Sequence, residues 1–223
     1  MKIVMAISGG MDSTTLLAKL LSQGNTISPF WFFYGSKHNK YEQQAVRAVM
    51  RYYQAIYTSL NDLKEIDLSA FMSDFKSALM KNESEDVPEG EYNEPSMTKT
   101  VVPARNLIFI SILSGIAASI DADAIALGVH DGDHYIYPDC RPAFLTSVQR
   151  TVEAALDRSM RLLVPYMDMT KADIAQQGIV LRVPYELTRT CYKDQPVPCG
   201  KCGACNERLA AFKEVGGTDP VRY

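Results

Sequence analysis

Short apolar runs that alternate with periodic polar segments mark the first part of the chain. Residues 2–6 are mostly apolar and predict a buried strand, and residues 14–24 have the spacing of a helix. The aromatic run 26–34 predicts a second strand, in which Pro29 favours an edge position or a bulge. Apolar side chains four positions apart predict an amphipathic helix over residues 38–53. This order is typical of a doubly wound α/β fold.

The remainder of the chain continues the alternation. A short strand is predicted at residues 65–68 and a helix at 69–81. The apolar segment 101–122 predicts a long buried helix, which leads into a buried strand at 122–129. The other predicted elements are a loop at 130–144, a helix at 144–160, a strand at 161–166, a helix that is capped by Thr170 and stopped by Gly178, and a last helix that begins near Cys205.

The size and charge of the chain limit the classes of protein to which it can belong. Its 223 residues, of which 47% are hydrophobic and 22% charged, suffice for one substantial core. The net charge of −3 argues against a broad nucleic-acid-binding surface, which is normally basic. The sequence shows neither a signal sequence nor an apolar run of the roughly 20 residues that span a bilayer. We therefore expect a soluble, cytoplasmic protein that acts on a small molecule, with no nucleic acid and no membrane as partner.

A glycine turn between the first strand and the first helix carries the strongest candidate chemistry. Gly9 and Gly10 permit a tight turn whose backbone N–H groups converge on an anion, and the next helix directs its positive end to the same point. Ser8 and Ser13 can donate to phosphate oxygens. Asp12 would repel phosphate, so its carboxylate indicates a phosphate-bound Mg²⁺. A tight turn that is capped by Ser or Asp and binds no ligand is the alternative.

The ordered set Ser-Gly-Gly-x-Asp-Ser after a buried strand resembles the pyrophosphate-binding loop of the ATP pyrophosphatase family, also called the PP-loop superfamily. The kinase-type pattern Gly-x4-Gly-Lys-Ser/Thr is absent from the sequence. The resemblance implies that the chain splits ATP into AMP and pyrophosphate in order to adenylate an oxygen. The ATP-binding residues that it implies are Ile7, Ser8, Gly9, Gly10, Met11, Asp12, Ser13, Thr14 and Thr15.

Four of the five cysteines lie close together near the C-terminus, with the spacing C-x7-C-x2-C-x2-C. Four thiolates on tight turns favour a closed, structural zinc site, and an iron–sulfur cluster is the alternative. The predicted metal ligands are Cys191, Cys199, Cys202 and Cys205. The fifth cysteine, Cys140, lies in the same segment as His130 and His134, which leaves open a nucleophilic thiol or a cysteine that is simply buried.

Four motifs, in the same order along nearly the whole chain, resemble those of the 7-cyano-7-deazaguanine synthase family, a branch of the ATP pyrophosphatases. They are SGGMDSTT at 8–15, VPARNLIF at 102–109, YPDCRPAF at 137–144 and the CxxCxxC knuckle. The resemblance implies an enzyme that adenylates 7-carboxy-7-deazaguanine with ATP and Mg²⁺, joins it to ammonia, and activates the amide again to give the nitrile. It also implies one structural Zn²⁺ and a homodimer.

The resemblance assigns roles to further residues. Asp12, Ser13 and Arg105 are the expected catalytic residues; Arg105 would meet phosphate or the substrate carboxylate, unless it is a solvated arginine at a helix end. Lys37 and His38 are expected near ATP, although exposed loop residues would look the same. The expected substrate-binding residues are Asp133, Tyr137, Asp139 and Arg141. The two carboxylates suit the N–H groups of a guanine-like ring, unless they cap loops, and the tyrosine suits stacking.

Two segments depart from the family pattern. The family loop commonly reads Asn-x-x-Asp-Tyr-Ser-Gly-Tyr-Pro-Asp-Cys, whereas residues 130–136 here read His-Asp-Gly-Asp-His-Tyr-Ile. Ser36 and Lys37 replace a more usual Gln-Arg. These departures bear on the substrate. They leave open an amide-forming variant, a different deazapurine, or a tRNA-thiolating enzyme of the same superfamily, although the acidic charge balance argues against the last.

We expect one α/β domain of the ATP pyrophosphatase type at residues 1–188, with the zinc knuckle and C-terminal helix at 189–223 packed on it. Residues 82–100 are polar and lack periodicity, which predicts a mobile loop. Both a lid over the active site and an inert surface excursion fit this loop. Because ligands of open α/β sheets bind beyond the carboxyl ends of the strands, the glycine turn and the segments 34–38 and 129–141 should converge there.

Overall fold

The core of the fold is a five-stranded parallel sheet. It is seen in a computed structural model that describes residues 1–91 and 95–223. The strands are β1 (Lys2–Ala6), β2 (Thr26–Phe33), β3 (Lys64–Asp67), β4 (Ala124–Ala126) and β5 (Arg161–Leu163). Their order across the sheet is β3-β2-β1-β4-β5. The predicted doubly wound, parallel α/β fold is confirmed.

Helices from the described part of the chain cover both faces of this sheet. They are α1 (Met11–Ser22), α2 (Asn39–Gln54), α3 (Arg105–Ser119), α4 (Asp131–Ile136), α5 (Pro142–Leu156), α6 (Lys171–Val180) and α7 (Gly203–Glu214). Alternate residues of β1 face opposite sides of the sheet. Val4 belongs to a buried cluster with α3 and α5, whereas Ile3 and Met5 belong to a second cluster with α1, α2, α6 and α7.

The winding of the chain reverses between β1 and β4, which are neighbours in the sheet. Loops that follow the two strands at such a point diverge and leave a crevice beyond the carboxyl ends. The glycine turn follows β1, and residues 127–130 follow β4. Both segments therefore lie at the crevice in which a ligand is expected.

Pro29 lies in an interior strand, so the edge position that its presence favours is wrong. β2 is flanked by β1 and β3. Two residues earlier, the N–H of Ile27 points toward the β3 side and donates to the carbonyl of Ser59. The ladder with β3 itself begins only at Phe30, which is opposite Lys64. The missing N–H of Pro29 therefore falls where β3 has not yet joined the sheet.

The predicted helix at residues 69–81 is wrong. One helical hydrogen bond forms at its start, from the N–H of Met72 to the carbonyl of Leu68 at 2.9 Å. The backbone then bonds to distant segments; the N–H of Ala78, for example, donates to the carbonyl of Lys99 at 2.8 Å. Tertiary partners replace the i to i−4 bonds here, and helix propensity does not report such partners.

The segment 130–144, which the sequence predicts to be a loop, contains α4, a 3₁₀ turn at Pro138–Cys140 and the start of α5. A histidine caps α4: Nδ1 of His130 accepts the N–H of Gly132 at 3.1 Å, and the carboxylate of Asp133 accepts the N–H of His130. This is a capping box without Ser or Thr at the cap, which is why the usual sequence signature does not reveal it.

Gly178 does not end its helix, because α6 continues to Val180. A Cβ at this position would lie 1.8 Å from the hydroxyl oxygen of Tyr185. The glycine therefore serves close packing between α6 and a later segment, and the predicted stop is wrong.

Within the predicted loop 82–100, residues 92–94 lie outside the described residues. The preceding part lies against the cysteine-rich segment: the N–H of Gly90 donates to the carbonyl of Lys201 at 3.1 Å, and Asn206 donates to the carbonyl of Gly90 at 2.6 Å. Pro95–Thr100 form a short 3₁₀ helix. The mobility and the role of this loop stay predictions.

One helical stretch of the described chain, residues 96–119, is by length and composition apolar enough to cross a membrane. Its main helix, α3, packs against β1 and β4. Ile110, Leu113 and Ala117 are fully buried there. The apolar character of α3 is that of the core helix of an α/β sheet.

Candidate active site

In the turn after β1, the two serine hydroxyls hold the loop in shape. Ser8 Oγ and Ser13 Oγ lie 3.0 Å apart, and Ser8 Oγ accepts the N–H of Gly10 at 3.2 Å. Ser13 Oγ accepts the N–H of Ser8 at 3.2 Å. The first turn of α1 adds backbone N–H groups that have no acceptor within the helix. Hydroxyls and backbone donors thus share one side of the turn, which is the arrangement that binds phosphate groups.

Two glycines let neighbouring segments approach this turn closely. Gly9 has a φ of +73°, and a Cβ there would lie 2.5 Å from the backbone nitrogen of Val46 on α2. A Cβ on Gly128, after β4, would lie 3.2 Å from the backbone nitrogen of Ser13. A side chain at either position would separate the turn from α2 or from the end of β4.

A cavity of about 220 Å³ lies in the crevice. The ends of β1, β2 and β4, the start of α3 and the cysteine-rich segment form its walls. The structure brings the following predicted site residues together in this wall: Ile7, Ser8, Gly10, Met11, Asp12, Ser13, His38, Arg105, Asp133 and Tyr137. The predicted residues Gly9, Thr14, Thr15, Lys37, Asp139 and Arg141 lie outside the wall.

Several residues outside the wall have other partners. Thr15 Oγ1 donates to the carbonyl of Met11 at 2.8 Å, and Lys37 donates to the carbonyl of Glu85. The carboxylate of Asp139 accepts the N–H of Asn106 at 2.8 Å, so it caps the start of α3. The ATP- and substrate-binding roles of these residues stay predictions.

Lys171, the first residue of α6, contributes a buried ammonium to the cavity. Its Nζ lies 2.7 Å from Asp12 Oδ2 and 3.1 Å from Glu207 Oε2. It also lies 3.2 Å from His130 Nε2. Two carboxylates on different elements therefore share one cation beside the glycine turn.

The electrostatics of this group keep Lys171 and Asp12 charged. Burial acts to raise the pKa of Asp12, but the charge and hydrogen bond of Lys171, together with His130 and Arg208, outweigh it, and the pKa lies below its ordinary value. Burial acts to lower the pKa of Lys171, yet the carboxylates of Asp12 and Glu207 raise it above the ordinary value. Burial raises the pKa of Glu207 above its ordinary value.

Arg105 also belongs to the cavity wall, where it lies between aromatic rings. Its guanidinium carbon is 5.9 Å from the ring centre of Tyr34 and 5.9 Å from that of Tyr137. One N–H donates to the hydroxyl of Tyr34 at 3.4 Å. No carboxylate of the described residues forms a salt bridge with it, which suits an anionic ligand.

The four predicted metal ligands come together. Their Sγ atoms all lie within 4.8 Å of one another. The Sγ atoms of Cys202 and Cys205 are 3.5 Å apart, and those of Cys199 and Cys205 are 3.9 Å apart. A tetrahedral Zn²⁺ with bonds of about 2.3 Å to sulfur requires separations of about 3.8 Å. The donor set and its spacing therefore fit zinc.

Cys140 is buried in the cavity wall. Its thiol accepts a hydrogen bond from Asn106 Nδ2 at 3.1 Å. Burial raises the pKa of the thiol well above its ordinary value, so it stays protonated at neutral pH. Of the two readings that the sequence leaves open, these features favour a buried cysteine over a nucleophile.

The cavity residues that the sequence-based prediction missed include Lys171, Tyr192 and Glu207. The position of Lys171 could have indicated a functional role, because a cation in the first turn of a helix interacts unfavourably with the helix macrodipole. Tyr192 directly follows the metal ligand Cys191, and Glu207 lies on α7, which begins within the knuckle. The cysteine-rich segment thus builds part of the cavity wall.

The family model described as "Queuosine biosynthesis protein QueC" matches residues 2–216. The chain is 42% identical over 223 residues to the 7-cyano-7-deazaguanine synthase of Methanoregula boonei, which covers 100% of this chain and 99% of that one. It is 41% identical to the synthase of Alteromonas mediterranea, over 99% of this chain and 98% of the relative. The synthase of Caldicellulosiruptor saccharolyticus is 40% identical, over 100% and 96%.

Solved structures share the fold at low identity. A 4-thiouridine synthetase in complex with RNA and bound ATP has a TM-score of 0.55 at 18% identity, covering 96% of this chain and 50% of that one. An NMN synthetase from Francisella tularensis has a TM-score of 0.52 at 12% identity, covering 97% and 77%. These likenesses support the α/β fold and carry no information about the substrate.

The family match over nearly the whole chain and the identity of about 40% to full-length synthases agree with each other. They also agree with the glycine turn, the cavity and the cysteine cluster. The protein is accordingly an ATP-dependent ligase that forms C–N bonds in queuosine biosynthesis. The chain belongs to the QueC family of 7-cyano-7-deazaguanine synthases.

Proposed function

We propose that the cavity adenylates 7-carboxy-7-deazaguanine, transfers ammonia to it, and adenylates the resulting amide to release the nitrile. A carboxylate does not react with ammonia, because oxide is too poor a leaving group; adenylation supplies AMP in its place. The observation that carries the proposal is a single cavity whose wall contains both a turn suited to phosphate and an arginine that has no carboxylate partner among the described residues.

The phosphates of ATP lie, in this proposal, at the glycine turn. Ser8 and Ser13 exchange their mutual hydrogen bond for phosphate oxygens, and the first amides of α1 donate to the same oxygens. Lys171, already beside Asp12, stabilises the charge that builds up on the departing pyrophosphate. Adenylation then places AMP between the turn and the substrate.

Asp12 fits the role of a Mg²⁺ ligand. Its Oδ2 is engaged by Lys171, whereas its Oδ1 is buried and has no hydrogen-bond partner among the described residues. A carboxylate oxygen without a partner, beside a phosphate site, suits a hard cation. Bound there, Mg²⁺ would neutralise part of the charge on the phosphates.

The deazaguanine acid occupies the aromatic end of the cavity. Arg105 pairs with its carboxylate and holds the reacting oxygen toward the α-phosphate. Tyr137 packs against the heterocycle, and Asp133, whose carboxylate is in the same wall, accepts its N–H groups. Asp139 and Arg141 contribute from outside the wall by fixing the segment that carries Tyr137.

The cysteine cluster binds one Zn²⁺ through four thiolates and takes no part in the chemistry. Four protein ligands leave no open coordination position, and metal-bound thiolates are poor nucleophiles. The metal holds Cys191, and with it Tyr192, against the cavity while it anchors the start of α7.

The protein acts as a cytoplasmic homodimer in this proposal. The resemblance to the family supports it, and so does α3, which carries no charged residue after Arg105. Leu107, Ser111 and Gly115 of α3 are exposed and form an uncharged face with two small residues, which would let a second helix approach closely. Sedimentation of the purified protein tests this directly: a mass of twice 24.8 kDa is expected, and a monomer at all concentrations would contradict it.

Incubation with ATP, Mg²⁺, ammonium and 7-carboxy-7-deazaguanine, with the products identified by mass, tests the reaction. We expect the nitrile and two AMP for each nitrile formed. Accumulation of the amide would reassign the chain to the amide-forming variant. The absence of AMP that depends on the acid would contradict the proposal.

A further inference from the structure

The ring of His38 belongs to the cavity wall and is paired with a carboxylate one helical turn later. His38 Nε2 lies 3.1 Å from Glu42 Oε2, and both side chains are almost completely shielded, with 8% and 12% exposure. The other oxygen, Glu42 Oε1, accepts the indole N–H of Trp31 at 2.9 Å. Trp31 therefore fixes the carboxylate in an orientation that leaves Oε2 for the histidine.

These contacts set the tautomer of His38. A carboxylate oxygen only accepts hydrogen bonds, so Nε2 carries the hydrogen that points to Glu42. The hydroxyls of Ser36 and Tyr34, at 3.4 Å and 3.5 Å from Nε2, are the next nearest groups. The lone pair is consequently on Nδ1, which is buried and has no hydrogen-bond partner among the described residues.

An unpartnered imidazole nitrogen in the wall of a binding cavity is costly unless a ligand meets it. Glu42 behind the ring stabilises the imidazolium that forms when Nδ1 takes up a proton, as carboxylates do in general-base pairs. We propose that His38 is the general base of the two nitrogen steps, oriented by Glu42. This inference rests on the proposed function and deepens it.

His38 accepts one proton in the attack of ammonia and one in the formation of the nitrile. In the first, the lone pair of ammonia attacks the carbonyl carbon of the acyl-adenylate, the bond from carbon to AMP oxygen breaks, and a proton passes from nitrogen to Nδ1. Adenylation of the amide oxygen releases pyrophosphate and one N–H proton to solvent and leaves an imidate with a single N–H. In the second step, this imidate gives its remaining N–H proton to Nδ1 as the bond from carbon to AMP oxygen breaks, which leaves the C≡N triple bond. His38 returns its proton to solvent between the steps.

The other groups of the cavity are less suited to this role. Lys171 is held protonated by Asp12 and Glu207, and an ammonium accepts no proton. Asp133 already pairs with His130. Around His38 the titratable or charged neighbours are Glu42 of α2, Tyr34 after β2, Tyr192 of the cysteine-rich segment at 5.3 Å between ring centres, and Arg105 through its bond to Tyr34.

The test separates adenylation from nitrogen transfer in the zinc-loaded, full-length enzyme. Adenylation is followed by the exchange of labelled pyrophosphate into ATP that depends on 7-carboxy-7-deazaguanine. Transfer is followed by the amide and nitrile formed from ammonium. Hydroxylamine, which is a stronger nucleophile than ammonia and is unprotonated at neutral pH, traps the acyl-adenylate as a hydroxamate without needing the base.

For His38→Gln we expect nitrogen transfer from ammonium to fall about 100-fold, the size of a typical general-base contribution, while exchange and hydroxamate formation stay within about threefold. Glu42→Gln, which keeps the histidine, should show the same split with a loss of about tenfold. Arg51→Gln, an exposed substitution on α2, is the matched control and should leave all three rates unchanged.

An equal loss of exchange and transfer in His38→Gln would overturn the inference and assign His38 to ATP binding. Unchanged transfer would overturn it as well. If His38→Gln does not fold, Glu42→Gln decides by the same criteria. Failure of the wild-type enzyme to exchange pyrophosphate in the presence of the acid is a different result, because it contradicts the proposed function itself.

Discussion

Lys171 shows how one buried charge organises the phosphate end of the site. Its single positive charge is shared by two carboxylates, Asp12 and Glu207, that would otherwise repel each other in the same wall. The lowered pKa of Asp12 and the raised pKa of Lys171 describe the same attraction from its two ends. A ligand phosphate can replace one of these carboxylates without leaving the lysine unpaired.

Replacing Lys171 with Met should destabilise the protein by about 3 kcal/mol near pH 7, because it leaves two shielded carboxylates without their cation. A carboxyl with a lowered pKa contributes stability above its ordinary pKa, here 3.8, and loses it as pH falls through the lowered value. The difference between wild type and variant should therefore shrink below about pH 4. Urea unfolding across pH measures it.

Lys213→Met, an exposed substitution on α7, serves as the control for the loss of a lysine. It should change the unfolding free energy by less than about 0.5 kcal/mol. An equal effect of the two variants, or a difference that persists at acid pH, would contradict the charge pairing.

Cys140→Ser should keep the nitrile-forming activity within about tenfold, because the thiol lines the wall and is not the nucleophile. The raised pKa and the burial of the thiol also predict that iodoacetamide leaves Cys140 unmodified in the folded enzyme and modifies it after unfolding. Peptide mass mapping measures both states. Rapid alkylation of native Cys140, together with an inactive serine variant, would show instead that Cys140 acts as a nucleophile.

Among the elements, the glycine turn leaves little room for side chains. Gly9 needs both a left-handed backbone and the space that α2 leaves beside it. Gly24, at the other end of α1, has a φ of +76° and nothing within 4 Å of the position of a Cβ. Substitution of Gly24 therefore measures backbone strain alone, whereas substitution of Gly9 measures the same strain together with a steric clash.

Gly24→Ala should cost about 1–2 kcal/mol, the strain of a left-handed alanine. Gly9→Ala should cost at least about 3 kcal/mol and weaken ATP binding, because contact with the Val46 backbone adds to the same strain. Thermal unfolding and ATP titration measure the two effects. Equal costs would mean that α2 moves away freely and that the close approach is unimportant.

Strands and helices with a strong local pattern could be predicted, and elements that depend on distant partners could not. β1, α1, α2 and the long α3 follow from their apolar spacing. The helix expected at 69–81 fails because the chain there bonds to Lys99 and other remote residues. The sequence did not predict α4, because a histidine caps this helix and its six residues are too few to show a helical apolar pattern.

The same distinction applies to the site. The glycine turn and the four cysteines are local motifs, so their positions can be recognised in the sequence alone, whereas the ligands that they bind stay predictions. Lys171 and Glu207 reach the cavity from α6 and α7, and only the fold brings them to Asp12. No spacing in the sequence predicts that Lys171 and Glu207 lie beside Asp12. The role of Asp139 as a cap likewise depends on where α3 begins.

For the molecule as a whole, the cysteine-rich segment connects stability to the cavity. Cys202→Ser should lower the zinc content from one ion per chain and cost about 3 kcal/mol, which corresponds to a fall of about 10 °C in Tm for a domain of this size. Cys140→Ser is the matched control and should keep both zinc and Tm. Metal analysis and calorimetry measure the two quantities; a Cys202→Ser protein with full zinc and an unchanged Tm would contradict the structural site.

We expect the cavity to have two halves, a phosphate half at Lys171 and an acid half at Arg105. Calorimetric titration of Mg²⁺-ATP and of 7-carboxy-7-deazaguanine, each alone, into Lys171→Met and Arg105→Met distinguishes the two halves. We expect a crossed result: the lysine variant loses at least tenfold in affinity for ATP and keeps its affinity for the acid, and the arginine variant does the reverse. Loss of the same ligand in both variants would contradict the two-half site.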